Sequence, residues 1–410
     1  MKAHLFSLIL RIATLQAATA VAATHVVVQG DTLSRIARKH QCSVVELKSA
    51  NKLTSDIIRV GQTLQVPEAA AATEPAPVLP PPSGPVISNE ELEANLKSLA
   101  SADRWKVQLF LDQALFAPGK VDGLVGEFTV KAAARWIMAG KNRDMQSLLA
   151  AARKQCAQTQ TEFVIPESAA SFIGIIPERL EEKAMLTTLP YESLAEYTAE
   201  RFHTDLSTLR RLNPGLDLTT LKIGDTLQVP AVDPLIIENW PEKLSSICSE
   251  PGSIHLRIHH DDRMIEVLRA DGRMCAAFPI TVSPKPEHRR TGEWFIHSIT
   301  ANPSFLWDDE MLKNGVKGTE QHLLPPGPNN PVGILWLALQ PVGGPKAHIG
   351  IHGTADPARI GRNHSSGCIR LANWDIIRLA KMVGKGTRVA WQPEDAPAFR
   401  PPVLAASSPH

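Results

Sequence analysis

A cysteine and a histidine near the C-terminal end of the chain are the residues best suited to chemistry. Cys368 follows a glycine and lies downstream of His352, which is itself followed by Gly353. A thiol is a strong nucleophile only as the thiolate, and a neighbouring imidazole is the usual means of forming it. The spacing predicts a strand that ends at His352, then a loop and a turn that carries Cys368. Such a layout can return the two side chains to hydrogen-bond distance, so the pair predicts covalent catalysis.

Two other interpretations of these residues remain open at this point. The cysteine could be a small buried apolar residue beside a histidine with purely structural hydrogen bonds. A zinc site is the second alternative, because this stretch contains four potential metal ligands: His348, His352, His364 and Cys368. The residues around the pair, described below, favour the nucleophile, and we expect neither a metal ion nor another cofactor.

Length and charge limit the class of protein. A chain of 410 residues is too long for one ordinary core and suggests about two to four domains. The formal net charge of +1 argues against a nucleic-acid binder, which normally has a strongly basic surface. No apolar run reaches the roughly 18 residues that a membrane span needs. Apart from an N-terminal signal peptide, described next, we therefore expect a protein that is not integral to the membrane.

Residues 1–23 have the pattern of a secretory signal peptide. A basic start is followed by an apolar stretch, and Ala20-Val21-Ala22 offers a cleavage site of the A-x-A type. An N-terminal amphipathic helix is the alternative. Export predicts a location in the periplasm or cell envelope, where the 5 cysteines could form disulfides. Their pairing stays open.

One eight-residue segment occurs twice in the chain. Residues 60–67 read VGQTLQVP and residues 223–230 read IGDTLQVP. Upstream of the first copy, the pattern predicts a strand, a turn with a helix cap, and two short helices. The repeats therefore predict two βααβ units, at residues 24–67 and at residues 185–230.

These units resemble LysM modules, small domains that bind N-acetylglucosamine-containing glycans such as peptidoglycan. The resemblance implies that Gly30, Asp31 and Thr32 line the glycan groove of the first unit. The second unit has the sequence PYES, residues 190–193, in the corresponding place. Its fold is expected to be kept, but its glycan binding stays open because a spacer that binds nothing is the alternative.

Two further segments lie between the repeats. Residues 68–88 are rich in Ala and Pro and cannot form a core, so they predict a linker. Residues 89–155 predict helices around a Gly-rich loop pinned by Asp122, with the second helix capped near Thr129. This segment resembles the three-helix peptidoglycan-binding module of cell-wall enzymes. A helical spacer is the alternative.

The pattern becomes alternating after residue 252. Residues 254–258 and 264–268 alternate in polarity, and Asp271-Gly272 predicts a turn between strands. Further strands follow until residues 373–383, which predict one amphipathic helix. Residues 252–392 thus predict a β-rich domain and residues 393–410 a disordered tail. The whole chain is expected to be a multidomain α+β protein.

Three blocks of the β-rich domain resemble the catalytic domain of L,D-transpeptidases, also called the YkuD type. Residues 324–333 with Trp336 resemble the loop before the active site, residues 349–354 the histidine strand, and residues 365–371 the nucleophile signature. Many members carry a histidine where this chain has Ser366. That departure leaves His352 as the expected base, with His364 as a less favoured alternative.

The resemblance implies acyl transfer on peptidoglycan. Cys368 would attack the diaminopimelate carbonyl of a stem tetrapeptide, expel D-alanine and form a thioester. His352 would hold the thiolate as an ion pair and then protonate the leaving amine. Backbone N–H groups of Gly367 and Cys368 are the expected oxyanion donors. The candidate oxyanion and substrate-binding residues are Gly353, Ser365, Ser366, Gly367 and Arg370. Arg370 could bind a substrate carboxylate or pair with a structural acid.

The acceptor of the acyl group stays open. It could be a second diaminopimelate amine, which gives a 3-3 cross-link, the lysine of an anchored lipoprotein, or a free D-amino acid. With water as acceptor, the same site would act as an L,D-carboxypeptidase or hydrolase. A non-catalytic wall-binding protein is the remaining class, and peptidoglycan is the expected partner in every case.

Overall fold

The computed structural model describes residues 23–29, 31–33, 36, 40, 47–48, 50–53, 57–66, 88–240, 253–285, 288, 290–314, 316–344, 347–362 and 367–391. The expected signal peptide up to residue 22, residues 68–87 of the expected linker and the expected tail lie outside them. The chain divides into two compact units, Met1–Leu79 and Pro80–His410. Among the described helices, none combines the length and apolarity that crossing a membrane requires.

The first compact unit holds the first βααβ repeat. Strand β1 (Ala23–Val26) pairs antiparallel with β2 (Thr63–Val66). The described positions of the two expected helices include Leu33, Ile36 and Leu47, which are helical and buried. These side chains share one small hydrophobic core with apolar residues of β2. The order of strands and helices is therefore the one that the sequence predicts.

Residues 89–155 form four helices rather than three. They are α1 (Asn89–Ser98), α2 (Ser101–Gln113), α3 (Glu127–Met138) and α4 (Met145–Gln155). The loop between α2 and α3 is pinned as expected, because the Asp122 carboxylate accepts a hydrogen bond from the Leu124 N–H at 2.9 Å. Gly126, not Thr129, is the N-cap of α3. Thr129 lies inside the helix, where its hydroxyl accepts a hydrogen bond from Gln108 at 3.1 Å.

The second repeat forms a larger unit than the sequence predicts. Its elements are β3 (Gln160–Val164), α5 (Leu180–Ala184), α6 (Leu194–Arg201), α7 (Leu206–Leu212) and β4 (Thr226–Pro230). β3 pairs antiparallel with β4, so the unit begins at Gln160 and not at residue 185. An insertion that contains α5 separates β3 from α6, and the first strand is therefore displaced along the sequence. We call residues 160–230 the second LysM-like unit.

An asparagine makes the same three hydrogen bonds in both repeats. In the first, Asn51 Nδ2 donates to Leu47 O and Gln65 O, and Asn51 Oδ1 accepts from Gln65 N–H. In the second, Asn213 Nδ2 donates to Leu209 O and Gln228 O, and Asn213 Oδ1 accepts from Gln228 N–H. In both units the side chain thus ties the end of the second helix to the closing strand. The repeated sequence corresponds to a repeated structure.

The β-rich domain is built on one sheet of 8 strands in the order β13-β12-β11-β8-β14-β5-β6-β7. The strands are β5 (Ile254–His259), β6 (Met264–Arg269), β7 (Met274–Pro279), β8 (Gly292–Ala301), β11 (Leu335–Pro341), β12 (Ile349–His352), β13 (Ile369–Arg370) and β14 (Arg388–Trp391). Neighbours are antiparallel except β12–β13 and β14–β5. A hairpin of β9 (Phe305–Trp307) and β10 (His322–Leu324) encloses helix α8 (Asp309–Asn314).

Helix α9 (Asn373–Ala380) follows β13 and covers part of the sheet. Its apolar side chains Ile376 and Leu379 are buried in the core that the strands β5 to β14 share. Because α9 starts only two residues after β13, its first turn lies close to the strand that follows Cys368. This placement brings Asn373 to the end of the sheet where Cys368 precedes β13.

The helical segment packs directly on the eight-stranded sheet. Helix α3 contacts β7, and the Arg135 guanidinium donates to Glu266 on β6 at 3.0 Å and to Asp262 at 2.7 Å. Arg135 is 1 % exposed and Glu266 is fully buried. Burial alone would raise the pKa of Glu266, but His259, Arg135 and Arg257 hold it well below its usual range. A buried, charge-compensated contact therefore joins the helices to the sheet.

Candidate active site

The sheet places His352 and Cys368 on two adjacent strands. His352 is the last residue of β12, and Cys368 directly precedes β13. The strands run parallel with Ile351 opposite Ile369, and both isoleucines are fully buried in the core. Since side chains alternate between the faces of a sheet, His352 and Cys368 both point to the other face. The two residues that the sequence singles out thus share one face of the sheet.

Gly350 and Trp336 shape the surface between the two side chains. Cys368 lies next to Gly350, whose backbone makes a hydrogen bond with the thiol and which has no side chain on this face of the sheet. A Cβ at Gly350 would lie 2.6 Å from the Trp336 indole, so glycine is required there. The same indole stacks on the His352 ring, with centroids 5.1 Å apart and an interplanar angle of 13°. Trp336 therefore fixes the plane of the imidazole.

A backbone hydrogen bond fixes which nitrogen of His352 carries the proton. Nδ1 lies 2.6 Å from the carbonyl oxygen of Gly353. A carbonyl only accepts hydrogen bonds, so Nδ1 must be the protonated nitrogen of the neutral ring. Nε2 then carries the lone pair of the neutral ring. His352 can act as a base through that atom.

The electrostatics of the site disfavour charge on both residues. Burial and the Arg370 guanidinium lower the pKa of His352 to about 3, although backbone hydrogen bonds with Gly353 and Val332 oppose them. Burial raises the pKa of the Cys368 thiol, although a backbone hydrogen bond from Gly350 and two arginines pull it down. The pKa shifts therefore favour a neutral imidazole and a neutral thiol in the resting site. The resemblance implies an ion pair instead, and burial of the two groups disfavours it.

Gly367 needs to be glycine for conformational reasons. Its φ is +113°, a value that side-chain-bearing residues rarely adopt. Among the described residues, a Cβ at this position would meet ordinary contacts with His288, at 3.8 Å or more. His288 is a neighbour of the nucleophile segment that no sequence motif indicates. Its Nδ1 is bonded to the Ser283 hydroxyl at 2.8 Å.

Arg370 stands on the same face as Cys368 and is held from both sides. Its backbone pairs with β12 and exchanges two hydrogen bonds with Thr281, at 2.9 and 3.0 Å. Within the described part of the chain, the buried Nε of Arg370 has no hydrogen-bond partner. Burial lowers the pKa of Arg370. A guanidinium with an unused buried donor beside the thiol is suited to an anionic ligand.

Other candidate residues are placed differently or not described. Ser365 and Ser366 lie outside the described residues, as do Gly30 and His364. Asp31 accepts a hydrogen bond from the Val28 N–H at 3.0 Å and lies 2.9 Å from His25 Nε2, so its carboxylate holds the first turn of the LysM module. Thr32 is exposed.

The ligands considered for zinc are not brought together among the described residues. The one described group of at least three such side chains with ligand atoms within 4.8 Å is Glu181, Glu320 and His322. His348, His352 and Cys368 do not form such a group within the described ranges, and His364 is not described.

Two protein-family models match parts of this chain. The model of the LysM domain matches residues 25–67 and 199–230, and that of the L,D-transpeptidase catalytic domain, YkuD, matches residues 253–390. The helical segment 89–155 lies outside both matches. The LysM model thus matches the first βααβ repeat and residues 199–230 of the second, and the catalytic-domain model matches the β-rich domain.

Three curated relatives are named as L,D-transpeptidases. YqjB of Bacillus subtilis is 37 % identical over 139 residues, which is 34 % of this chain and 71 % of YqjB. YkuD of Bacillus licheniformis is 28 % identical over 209 residues, 51 % of this chain and 99 % of the relative. YbiS of Escherichia coli K12 is 27 % identical over 207 residues, 50 % of this chain and 62 % of the relative. The matched part of this chain thus covers between 62 % and 99 % of the length of these relatives.

Two solved structures with some likeness to this chain are also called L,D-transpeptidases. An L,D-transpeptidase from Mycobacterium smegmatis has 19 % identity and a TM-score of 0.26, with 34 % of this chain and 59 % of that chain covered. L,D-transpeptidase 3 from Mycobacterium tuberculosis, in complex with a faropenem-derived adduct, has 16 % identity and a TM-score of 0.27, with 34 % and 60 % covered. With the catalytic-domain match and the identity to YqjB over most of that relative, the chain belongs to the L,D-transpeptidase family.

Proposed function

We propose that the chain transfers an acyl group from a peptidoglycan stem peptide through a thioester on Cys368. The observation that supports it most is the placement of Cys368 and His352 on one face of adjacent strands. The His352 ring is held there by Gly353 O and by Trp336, with Nε2 as its basic atom. This arrangement can move a proton from a thiol and return it to an amine.

The first half-reaction starts from the neutral pair. As the Cys368 sulfur attacks the diaminopimelate carbonyl of a stem tetrapeptide, its proton passes to His352 Nε2. The C–N bond to D-alanine then breaks, and His352 returns the proton to the leaving amine. A thioester and free D-alanine result. Coupling proton transfer to attack avoids forming two buried charges before substrate is bound.

The oxyanion of the intermediate needs hydrogen-bond donors. We assign this role to the backbone N–H groups of Gly367 and Cys368, because the positive φ of Gly367 turns the chain directly before the nucleophile. Loss of one donor of this kind typically costs about 3 to 4 kcal/mol of barrier. Ser365 and Ser366 belong to the same segment and are proposed to contact substrate. For Gly353, the bond from His352 and the contact with Asn373 favour a structural role.

Arg370 is the proposed binder of a substrate carboxylate. Its alternative, pairing with a structural acid, has less support because the described structure gives Arg370 no ion pair and leaves Nε unbonded. The stem peptide carries free carboxylates near the scissile bond, and a guanidinium binds such a group with two parallel hydrogen bonds. Arg370 would orient the donor peptide against Cys368.

In the second half-reaction, an amine attacks the thioester carbonyl and His352 takes up the amine proton. The C–S bond then breaks, and His352 returns the proton to the Cys368 sulfur, which regenerates the neutral pair. The candidate amines are a second diaminopimelate, the lysine of a lipoprotein and a free D-amino acid. Hydrolysis by water is the alternative outcome of the same chemistry. The first LysM module, with Gly30, Asp31 and Thr32 at its groove, would hold the enzyme on the glycan of the cell envelope and raise the local concentration of stem peptides.

Products distinguish the candidate reactions. The purified full chain would be incubated with tetrapeptide muropeptides and the products weighed by mass spectrometry. Cross-linked dimers indicate transpeptidation, and tripeptides alone indicate the carboxypeptidase. If the Cys368→Ala variant gave the same products as the wild type, the thioester route would be wrong.

A further inference from the structure

Asn373 occupies a buried position between the two loops that surround the histidine. Its side-chain oxygen lies 3.3 Å from the backbone N–H groups of Ile334 and Thr354, and its Nδ2 donates to the Pro328 carbonyl at 3.3 Å. Asn373 is fully buried. The amide therefore ties the loop before β11 to the segment that follows His352.

Two glycines make this close approach possible. A Cβ at Gly333 or at Gly353 would lie 2.2 Å from Asn373 Oδ1. No side chain can be accommodated at that distance without moving the amide. Gly333 also has a φ of +62°. The sequence thus keeps both backbone segments free of side chains where the Asn373 amide is inserted.

A single peptide group connects Asn373 to the catalytic imidazole. The peptide between Gly353 and Thr354 donates its N–H to Asn373 and accepts the His352 Nδ1 proton on its carbonyl. Because a peptide group is planar and rigid, an amide that holds the N–H also sets the direction of the carbonyl. The orientation of Asn373 therefore sets the position of the oxygen that anchors His352.

The partner that orients Asn373 lies in the second LysM-like unit. Asn373 Nδ2 donates to Glu200 Oε1 at 3.0 Å, and the other oxygen of Glu200 accepts a hydrogen bond from the Tyr191 hydroxyl at 2.5 Å. Tyr191 and Glu200 are both buried. Burial raises the pKa of Glu200 to about 8 in spite of these two bonds, so the group is largely neutral at pH 7.

A second set of contacts joins the same two parts of the chain. The Leu189 N–H donates to Pro326 O at 2.8 Å, and Asn329 Nδ2 donates to Pro190 O at 2.8 Å. A Cβ at Gly327 would lie 2.2 Å from the Leu189 carbonyl. The loop of residues 326–329 is thus fitted to the second LysM-like unit, on the side of that unit where Glu200 reaches Asn373.

We propose that Glu200 and Asn373 are positioning residues for His352, so that the second LysM-like unit is a part of the active site. The chain of bonds runs from Tyr191 through Glu200 and Asn373 to the 353–354 peptide and ends at Nδ1 of His352. Loss of the Glu200 carboxyl leaves the Asn373 amide without its strongest partner and lets the peptide rotate. The importance of this positioning for catalysis rests on the function proposed above, but the geometric claim does not.

Three variants of the full chain separate positioning from general stability. Glu200→Gln keeps an acceptor for Asn373 and a polar partner for Tyr191. Glu200→Leu removes both. Glu238→Leu is the matched control, since Glu238 also accepts a hydrogen bond from a tyrosine, Tyr197, at 2.5 Å, and its described bonds go to Ser168, Tyr197 and Arg201. All measurements are made at temperatures where each variant is fully folded by circular dichroism.

Nitrogen-15 NMR of the labelled histidines reports the bond at His352 without any substrate. The His352 signal is assigned from its loss in His352→Gln. We expect the Nδ1–H resonance of the wild type to persist in Glu200→Gln and Glu238→Leu, and to shift or exchange away in Glu200→Leu. An unchanged resonance in Glu200→Leu, or an equal change in Glu238→Leu, would overturn the proposal.

Acylation of Cys368 by a carbapenem, followed by intact mass, measures the consequence for catalysis. Glu200→Leu is expected to lower the acylation rate constant on the order of 10- to 100-fold, since small misplacement of a catalytic group has effects of that size. Glu200→Gln is expected to keep the acylation rate constant within about 3-fold of the wild-type value. That difference corresponds to a smaller free energy than a pKa shift of half a unit. If the wild type formed no adduct, the proposed function would fail, while the NMR result would still decide the positioning.

Discussion

At the scale of residues, the electrostatics of the site favour an uncharged His352 and an uncharged Cys368. His352 is 3 % exposed and bonded through Nδ1 to a carbonyl, while Cys368 lies against the glycine backbone of β12. Burial of this kind makes an isolated ion costly, and for that reason the proposed mechanism couples proton transfer to the attack on the substrate carbonyl. The resting enzyme should then be a slow target for simple alkylating reagents.

The pH dependence of alkylation tests the state of the thiol. The inflection for iodoacetamide labelling of Cys368 is expected above the value of about 8.5 for a free cysteine, because burial raises the pKa of this thiol. Labelling is followed by peptide mass, with Cys368→Ser identifying the peptide. Arg370→Gln should move the inflection higher still, since it removes a stabilising positive charge. An inflection near pH 6 would instead indicate an ion pair with His352.

The neutral histidine also predicts how stability depends on pH. The pKa of His352 falls from 6.5 to about 3 on folding, so between these values the unfolded chain binds a proton that the folded chain does not. The contribution of this group is therefore fully present above pH 6.5 and decreases as the pH falls toward about 3. The melting temperature of the wild type should fall more steeply with acidification than that of His352→Gln. Parallel curves for the two proteins across this range would contradict the buried neutral state.

At the scale of elements, the register of three strands positions the imidazole. β11 supplies Trp336, β12 supplies His352 and Gly350, and β13 follows Cys368. A two-residue strand such as β13 has little stability of its own. Its backbone is held on one side by β12 and on the other by the two hydrogen bonds between Arg370 and Thr281.

Replacement of Gly350 should disturb this arrangement specifically. In Gly350→Ala the new Cβ would lie 2.6 Å from the Trp336 indole, so the ring must move away from His352. Overpacking of this kind typically costs about 1 to 3 kcal/mol of unfolding free energy. Gly215→Ala is the control, because a Cβ at Gly215 meets nothing within 4 Å. Chemical denaturation measures both variants, and equal stability of the two would argue against the close indole contact.

The sequence predicts the strands of the site better than the contacts between distant segments. Alternating polarity and the repeated TLQVP segments are local signals, and the strand ending at His352 and both closing strands are where they indicate. The partner strand at Gln160–Val164 was not predictable, because an insertion hides its relation to the repeat. Asn373 likewise gives no local signal, since its role depends on Glu200 at a separation of 173 residues.

At the scale of the whole molecule, the segments from residue 88 to the end of β14 behave as one compact unit with shared cores. The largest described core contains residues of the helical segment, the second LysM-like unit and the catalytic sheet together. The sequence predicts these as separate modules joined in series. Burial across their contacts indicates instead that helices and sheet depend on each other for stability.

The buried ion pair at Arg135 provides a test of that dependence. Arg135→Met leaves Glu266 with one fewer cation in a fully buried site, and breaking a buried pair typically costs about 3 to 5 kcal/mol. Arg153→Met is the matched control in the neighbouring helix, since the Arg153–Asp103 pair lies at the surface and such pairs contribute about 1 kcal/mol or less. Thermal unfolding should show a large loss of unfolding free energy for Arg135→Met and a small loss for Arg153→Met. Similar losses would mean that the helices are not anchored through this contact.

The mass of the enzyme during turnover tests most directly whether Cys368 carries the acyl group. The full chain would be mixed with a stem tetrapeptide, quenched in acid within seconds and digested. We predict that the peptide containing Cys368 gains the mass of the tetrapeptide less D-alanine, that at least one D-alanine is released for each adduct formed, and that Cys368→Ser shows neither. Release of D-alanine with no adduct on Cys368 at any quench time, or by Cys368→Ser at the wild-type rate, would contradict it.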